Sequence, residues 1–329
     1  MRPIRRASAP WALFLLLAGC GAHQGIPSEP QSAQLVSRPA ASPEVLRAER
    51  LLAEGNAAAA KALLEQALAD NPGDPRAWLD VGLVQEAGGD FDSAERAYRR
   101  ATEIDSHFAE AFNNLGVLLR EAGKHDEATS ALERAVALDP ELTAARFNLG
   151  LAYEEQGKLA EAEREYLATI DRLPTDPVPR INLAMMLLDM GRPEDAAVQL
   201  RAALPNVRGD VLLSIAVGEG FRRAGLPEEA VPVLRTALRQ ASDPPPTELL
   251  AELALAHYAN GDLEEADVTM RRALQQNELD PALQYAYGSI LAKRGQVGKA
   301  RVHLRRAAQL DPDGPYAERA RARLEALKK

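Results

Sequence analysis

The sequence predicts an all-α protein built from repeated pairs of helices, and three observations lead to this prediction. Aromatic residues make up only 5% of the 329 residues. Alanine and leucine must therefore fill the core, which favours helices over sheets. Apolar residues recur at the i, i+3, i+4 and i+7 spacing of amphipathic helices. A glycine recurs along the chain at intervals of 34 residues, with one interval of 36. One helix pair cannot cover its own apolar face, so successive pairs are expected to stack.

The composition excludes several classes of function. The net charge is −9, from 39 basic and 48 acidic residues, whereas a nucleic-acid partner requires a basic surface. A single cysteine excludes a disulfide within one chain. That cysteine and five scattered histidines leave little from which to build a zinc site.

The first segment of the chain has the pattern of a secretory signal. Arg2, Arg5 and Arg6 precede an apolar run over residues 11–18. Eight residues rise only about 12 Å as a helix, whereas the hydrocarbon core of a bilayer is roughly 30 Å thick. The segment is therefore predicted to be a leader and not a membrane span.

The leader ends in Leu17-Ala18-Gly19-Cys20, which resembles the lipobox of bacterial lipoproteins at all four positions. The resemblance implies cleavage after residue 19, diacylglycerol on Cys20 and N-acylation, for example with palmitate. In the Gram-negative lipoproteins that this segment resembles, an aspartate directly after the cysteine retains the protein in the inner membrane. The residue here is Gly21, so the resemblance implies the outer membrane, with the periplasmic face expected.

The body that remains after cleavage is acidic. Its net charge is −12, so the acyl group is expected to be its only attachment to a membrane. Residues 20–40 follow as a Pro-, Ser- and Gln-rich tether, which as a flexible coil spans on the order of 25 Å.

The rest of the chain is organised around the recurring glycine, which is expected to end the first helix of each pair with a positive φ. A small residue precedes each glycine by seven positions, and an alanine follows it by five. The two are expected to meet and to let the helices of a pair approach closely. The glycines are Gly55, Gly89, Gly123, Gly157, Gly191, Gly225, Gly261 and Gly295.

Residues 109–142 show the pattern most completely and resemble the tetratricopeptide repeat, whose period is 34 residues. Phe112, Leu115 and Gly116 match the first helix of that motif. The resemblance implies a right-handed α-solenoid of about eight helix pairs, followed by a capping helix over residues 315–329. The predicted repeats are 41–74, 75–108, 109–142, 143–176, 177–210, 211–244, 247–280 and 281–314.

Two irregularities interrupt the period. A two-residue insertion lies within residues 243–246, and it is either a tolerated loop or a bend that divides the array into six and two repeats. Pro232 falls inside a predicted second helix, where it should kink the helix. The sixth repeat is therefore expected to be the softest.

The predicted leader, tether, repeats and capping helix together account for all 329 residues. No stretch remains for a catalytic domain, so the protein is predicted not to be an enzyme. No arrangement of a serine or cysteine nucleophile is found beside the histidines of the repeats, which are His107, His125, His257 and His303. Each of them is expected to be packed or solvated and not to act as a catalytic base. No catalytic residue, metal site, cofactor or small-molecule substrate is predicted.

The resemblance places a partner-binding groove on the first helices of the repeats, whose positions 2, 5, 9, 12 and 13 face the concave side in this family. This surface is expected to be apolar through its middle and to accept a helical or extended protein segment. For each residue the alternative is that it only packs between neighbouring helices. Some members of the resembled family, the Hsp-type domains, use lysine and asparagine side chains of the groove to clamp the C-terminal carboxylate of a partner. Those lysines are absent here, which argues against that chaperone role. The predicted groove residues are Leu79, Leu83, Asn113, Val117, Arg120, Phe147, Leu151, Glu154, Ile181, Met185, Leu188, Ile215, Glu219, Arg222, Leu255 and Tyr258.

These features predict a lipid-anchored envelope scaffold that binds other envelope proteins. The layout resembles outer-membrane tetratricopeptide lipoproteins such as type IV pilus secretin pilotins and gliding-motility lipoproteins, which implies a role in a pilus, motility or secretion machine. An adaptor that regulates a cell-wall or polysaccharide-export enzyme has the same layout, so both classes stay open.

Overall fold

A computed structural model of the protein describes residues 39–328, and every element in that range is helical. The predicted leader, Cys20 and residues 21–38 of the predicted tether lie outside the described residues. The described chain divides into two compact units, with the boundary between residues 174 and 175.

The first unit, residues 39–174, contains eight helices joined in pairs by short loops. They are α1 (Pro43–Ala53), α2 (Ala57–Asp70), α3 (Pro75–Ala87), α4 (Phe91–Ile104), α5 (Ala109–Glu121), α6 (His125–Leu138), α7 (Thr143–Glu155) and α8 (Leu159–Arg172).

The second unit, residues 175–328, contains four further helix pairs and a final helix. They are α9 (Pro177–Asp189), α10 (Pro193–Ala203), α11 (Val211–Arg223), α12 (Pro227–Gln240), α13 (Thr247–Asn260), α14 (Leu263–Gln276), α15 (Pro281–Lys293), α16 (Val297–Leu310) and α17 (Pro315–Ala326). A short 3-10 turn follows α10.

Within each unit the helices form two layers. Odd-numbered helices contact odd-numbered neighbours directly, as α5 contacts α7 and α11 contacts both α9 and α13, and we call them the inner layer. Even-numbered helices pack against the inner helices before and after them and form the outer layer. This is the stacking of helix pairs that the sequence predicts.

The insertion at residues 243–246 lies inside the second unit and does not mark the boundary between units. The Gln276 side chain of α14 donates a hydrogen bond to the Pro245 carbonyl at 3.0 Å, and Pro245 is buried. The helix pair that follows the loop therefore holds it in place, and the choice between a tolerated loop and a bend stays a prediction.

Several inner helices begin at an Asp-Pro step. In α3, Asp74 is the N-cap and its Oδ1 accepts hydrogen bonds from the backbone N–H groups of Arg76 and Ala77 at 2.9 and 3.1 Å. The proline that follows loses nothing at the first helical position, since its N–H would have no intrahelical partner there. Asp176 and Asp280 begin α9 and α15 in the same way.

The recurring glycines adopt the left-handed conformation at the inner-to-outer turn, which confirms the prediction from the period. Their φ angles lie between 72° and 92°. An L-residue with a side chain is strained there, so glycine is the residue that this turn selects.

The small residue seven positions before the turn permits close contact inside each pair. A Cβ added to Gly116 would lie 2.5 Å from Leu132 Cγ and 3.2 Å from the Ala128 carbonyl oxygen. The predicted alanine is therefore present at the contact through its backbone. The nearest atoms, however, belong to the large Leu132 side chain of the outer helix, a contact that the period did not predict.

The outer helix α12 continues through Pro232 from residue 227 to residue 240 as one element. Pro232 and Glu228 are both exposed, so the carbonyl that lacks a donor at this point lies on the solvent side of the helix. The softness predicted for this repeat stays a prediction.

Candidate functional site

In the first unit, half of the predicted groove residues belong to the core. Leu79 is 3% exposed and packs in a cluster with Ala111 and Leu115 of the next inner helix. Phe147 is buried, with its ring centroid 5.8 Å from that of Tyr166 on α8. The other two buried residues are Arg120 and Leu151, whereas Leu83, Asn113, Val117 and Glu154 are partly exposed.

Polar contacts hold the inner layer of the first unit in place. Asn148 donates a hydrogen bond to Asn113 across α7 and α5 at 2.9 Å. The buried Arg120 guanidinium lies 4.0 Å from the Glu155 carboxylate. The side chains that line this face are therefore positioned by their neighbours within the layer.

A tyrosine of the outer helix fixes a glutamate of the inner helix twelve residues before it. Tyr166 donates a hydrogen bond to Glu154 at 2.7 Å, and Tyr98 donates one to Glu86 at 2.6 Å. Burial raises the pKa of both tyrosine hydroxyls, and burial also raises the pKa of Glu86. The sequence signal was available, since both tyrosines occupy the same repeat position, but the Tyr–Glu pairing was not predicted.

In the second unit, six predicted groove residues are partly exposed on the inner layer. They are Met185, Leu188, Glu219, Arg222, Leu255 and Tyr258, while Ile181 and Ile215 are buried. The Lys293 ammonium lies 4.5 Å from the centroid of the Tyr258 ring and donates a hydrogen bond to the Tyr258 carbonyl. This contact orients Tyr258 from the next inner helix.

A charged cluster occupies the middle of this inner layer. Arg222 Nε donates a hydrogen bond to buried Glu252 at 2.5 Å, and Arg223 Nη2 donates one to Asp189 at 2.5 Å. Glu219 is left with Arg223 Nη1 at 3.9 Å. Burial, and next the charge of Glu252, raise the pKa of Glu219 to about 7. Its charge therefore changes near neutral pH.

The groove surface that these residues can offer is smaller and less apolar than the sequence predicts. Leu79, Arg120, Phe147, Leu151, Ile181 and Ile215 are buried and offer almost no free surface. Most of them sit at repeat position 5, where the side chain packs within the layer of inner helices. The partly exposed residues are a mixture of apolar and charged groups. Contact of these residues with a partner stays a prediction.

The histidines pack or are solvated, as expected. His107 is exposed, and His125 lies 3.6 Å from Glu155. Buried His257 is within 3.1 Å of Asp262, and His303 contacts Gln284 at 2.7 Å. Burial lowers the pKa of His303, which favours the neutral form of its ring.

Neither a metal site nor a membrane span is found within residues 39–328. In that range no group of three or more His, Cys, Asp or Glu side chains could hold a metal ion. No helix in the same range has both the length and the apolar composition that crossing a membrane requires.

Comparison with known families agrees with the geometry. Tetratricopeptide repeat models match residues 51–115, 113–177, 177–202, 215–268 and 252–315. The chain belongs to the tetratricopeptide repeat family. No curated protein matches its sequence.

Solved structures of tetratricopeptide repeat proteins share this fold at low sequence identity. PilW, described as a widely conserved type IV pilus biogenesis factor, is 22% identical over 63% of this chain and 94% of its own, with a TM-score of 0.57. PilF of Pseudomonas aeruginosa is 22% identical over 63% of this chain and 93% of its own, with a TM-score of 0.54. A tetratricopeptide repeat protein from Parabacteroides merdae is 15% identical over 75% and 97%, with a TM-score of 0.55.

Proposed function

We propose that this tetratricopeptide repeat protein is a lipid-anchored envelope scaffold that binds other proteins through its inner layer. The observation that carries the proposal is the set of partly exposed predicted groove residues, four in the first unit and six in the second. Their neighbours hold them in position, as Lys293 holds Tyr258 and Tyr166 holds Glu154. A preorganised surface loses little entropy on binding, which suits recognition of a peptide segment.

The anchor and the location belong to the same proposal. The lipobox ending at Cys20 supports acylation, and Gly21 supports the outer membrane. Likeness in fold to a protein described as a type IV pilus biogenesis factor supports a pilus as the first machine to test, with gliding motility and secretion next.

The partner segment is expected to combine apolar and charged side chains. In the first unit Leu83 and Val117 lie on the same layer as Glu86 and Glu154, so a segment with basic residues beside apolar ones fits best. In the second unit Met185 supplies an adaptable apolar contact.

The test is affinity purification of the full-length protein from cross-linked, detergent-solubilised envelopes. The variant is the double substitution Val117→Glu, Met185→Glu, because both side chains are partly exposed. Phe147→Glu is unsuitable, since Phe147 is 7% exposed and a buried charge would unfold the repeat.

The matched control carries Ala62→Glu and Ser130→Glu, which add the same charge on exposed sites of the outer layer. A partner captured by the wild type and the control but lost with the inner-layer variant supports the proposal and identifies the machine. Capture of a cell-wall or polysaccharide-export enzyme would instead identify a regulator. Equal capture by all three proteins would exclude the inner layer.

A further inference from the structure

The outer layer of the second unit carries an exposed row of apolar residues. Val198 is 58% exposed, Val268 is 52% exposed and Val302 is 60% exposed, and Pro232 between them is exposed as well. All four occupy the same repeat position, 34 or 36 residues apart. We call these four residues the apolar row.

Two charged rows flank the apolar row. Four residues before it, in the first turn of α10, α12 and α14, lies an acidic row, and three residues after it lies a basic row. Residues spaced by four and then three share one face of a helix, so each of these three helices presents acid, apolar and base in that order. The acidic row is Glu194, Glu228 and Glu264, and the basic row is Arg201, Arg235, Arg271 and Arg305, all of them exposed.

Helix electrostatics explains only part of this arrangement. Acidic residues are favoured in the first turn of a helix by its dipole. The dipole gives no reason for exposed valines, and the first unit has none at the corresponding position, where Ala62, Arg96, Ser130 and Arg164 stand instead. The apolar row is therefore a property of the second unit and not of the repeat.

The order of the rows makes this surface complementary to itself. If a two-fold axis runs along the apolar row, the row of one copy meets the row of the other, and each acidic row faces a basic row. If the two-fold axis instead ran across the rows, the acidic row of one copy would face the acidic row of the other. Arg201, Arg271 and Glu264 already form ion pairs within the chain, with Glu229, Asp267 and Arg294 respectively. Glu228 and Arg235 form no ion pair with any residue in the range 39–328, so these two charges are available to a second copy.

We infer that the outer layer of the second unit is a self-association surface whose occupant is a second copy of this chain. A surface that pairs with itself about a two-fold axis is the usual basis of a homodimer. The inference is independent of the proposed function, because it uses the outer layer and leaves the inner layer free for other partners.

The first test uses the fact that Cys20 is the only cysteine. In the full-length chain carrying Cys20→Ser, Val268→Cys places one thiol on the apolar row. The matched control is Ser130→Cys, at the same repeat position of the first unit. Across the two-fold axis residue 268 faces itself, so mild oxidation should give a disulfide-linked dimer with Val268→Cys, at a rate about tenfold or more above the control. Equal rates would overturn the inference.

The second test exchanges charges. In sedimentation equilibrium of the full-length chain, Glu228→Arg and Arg235→Glu should each weaken dimerisation about tenfold, because like charges then face each other twice. Mixing the two variants should restore the dimer, since the new arginine side chain of the first variant would face the new glutamate side chain of the second. A monomeric wild type, or a mixture that stays monomeric while the wild type dimerises, would overturn the inference.

Discussion

Gly82 lies so close to the ring of Tyr98 that even one added carbon has no space. An added Cβ would be 2.3 Å from the ring, and the Tyr98 hydroxyl is held by Glu86, so the ring cannot move away freely. Gly82→Ala is therefore expected to lower the free energy of unfolding by about 1–3 kcal/mol, as overpacking does. Urea denaturation followed by circular dichroism measures the change.

The control for this prediction is Gly298→Ala in α16. Nothing lies within 4 Å of a Cβ added there, so only the higher helix propensity of alanine acts and the protein should gain about 0.5–1 kcal/mol. If both substitutions stabilise the protein, the close approach of α3 and α4 does not constrain the fold.

Glu219 makes the free energy of unfolding fall as the pH rises. Burial raises its pKa in the folded protein to about 7, above the ordinary value of 4.5. The folded state therefore holds the proton more tightly than the unfolded state, and stability is lost as pH rises from about 4.5 through 7. Glu219→Gln should remove this loss, with a gain on the order of 3 kcal/mol at pH 8 and almost none at pH 4. Thermal unfolding across this pH range checks it, and an equal effect at both ends would contradict it.

At the scale of elements, the ion pair between Arg222 and Glu252 joins α11 to α13. Glu252 has only 5% of its side chain exposed, so removing its partner leaves a buried carboxyl group without its ion pair. Arg222→Met is expected to cost about 3–5 kcal/mol at neutral pH, whereas the double variant Arg222→Met, Glu252→Met should recover most of that loss. Denaturant unfolding of the wild type, both single variants and the double variant measures the coupling. Additive losses would mean that the pair does not link the two helices.

The outer helix α12 should open more readily than its counterpart α14, because Pro232 removes one hydrogen bond from its interior. Its backbone amides are expected to exchange faster with deuterium at the same pH and temperature. Hydrogen exchange followed by mass spectrometry compares residues 227–240 with residues 263–276 in one experiment. Pro232→Ala should slow the exchange of α12, and no difference between the helices would refute the predicted softness.

At the scale of the whole molecule, membrane attachment is proposed to depend on one atom, the Cys20 sulfur. Cys20→Ser should prevent acylation and move the protein from the membrane fraction to the soluble fraction, because a hydroxyl cannot form the thioether. Metabolic labelling with a fatty-acid analogue and fractionation of cells measure both effects. A variant that remains unlabelled but still sediments with membranes would show that another part of the chain binds there.

The period of the sequence predicted the helices well because the repeat encodes its contacts locally. The glycine at each turn, the Asp-Pro starts of α3, α9 and α15, and the small residue opposite a large one all lie within 34 residues of their partners. The candidate site was predicted less well. Leu79, Phe147 and Ile215 have the apolar character of a groove, but the same character serves packing within the inner layer, and sequence alone does not separate the two.

The sequence by itself determined the family, the helix pairs and the turns, because each depends on residues at fixed short spacings. Only the tertiary structure decided which apolar residues are exposed, since exposure depends on the helices that pack on either side. It buried six of the sixteen predicted groove residues and left Val198, Val268 and Val302 in solvent on the opposite layer. It also gave Glu219 a pKa near neutrality, because that shift arises from burial beside Glu252, a residue of the next inner helix.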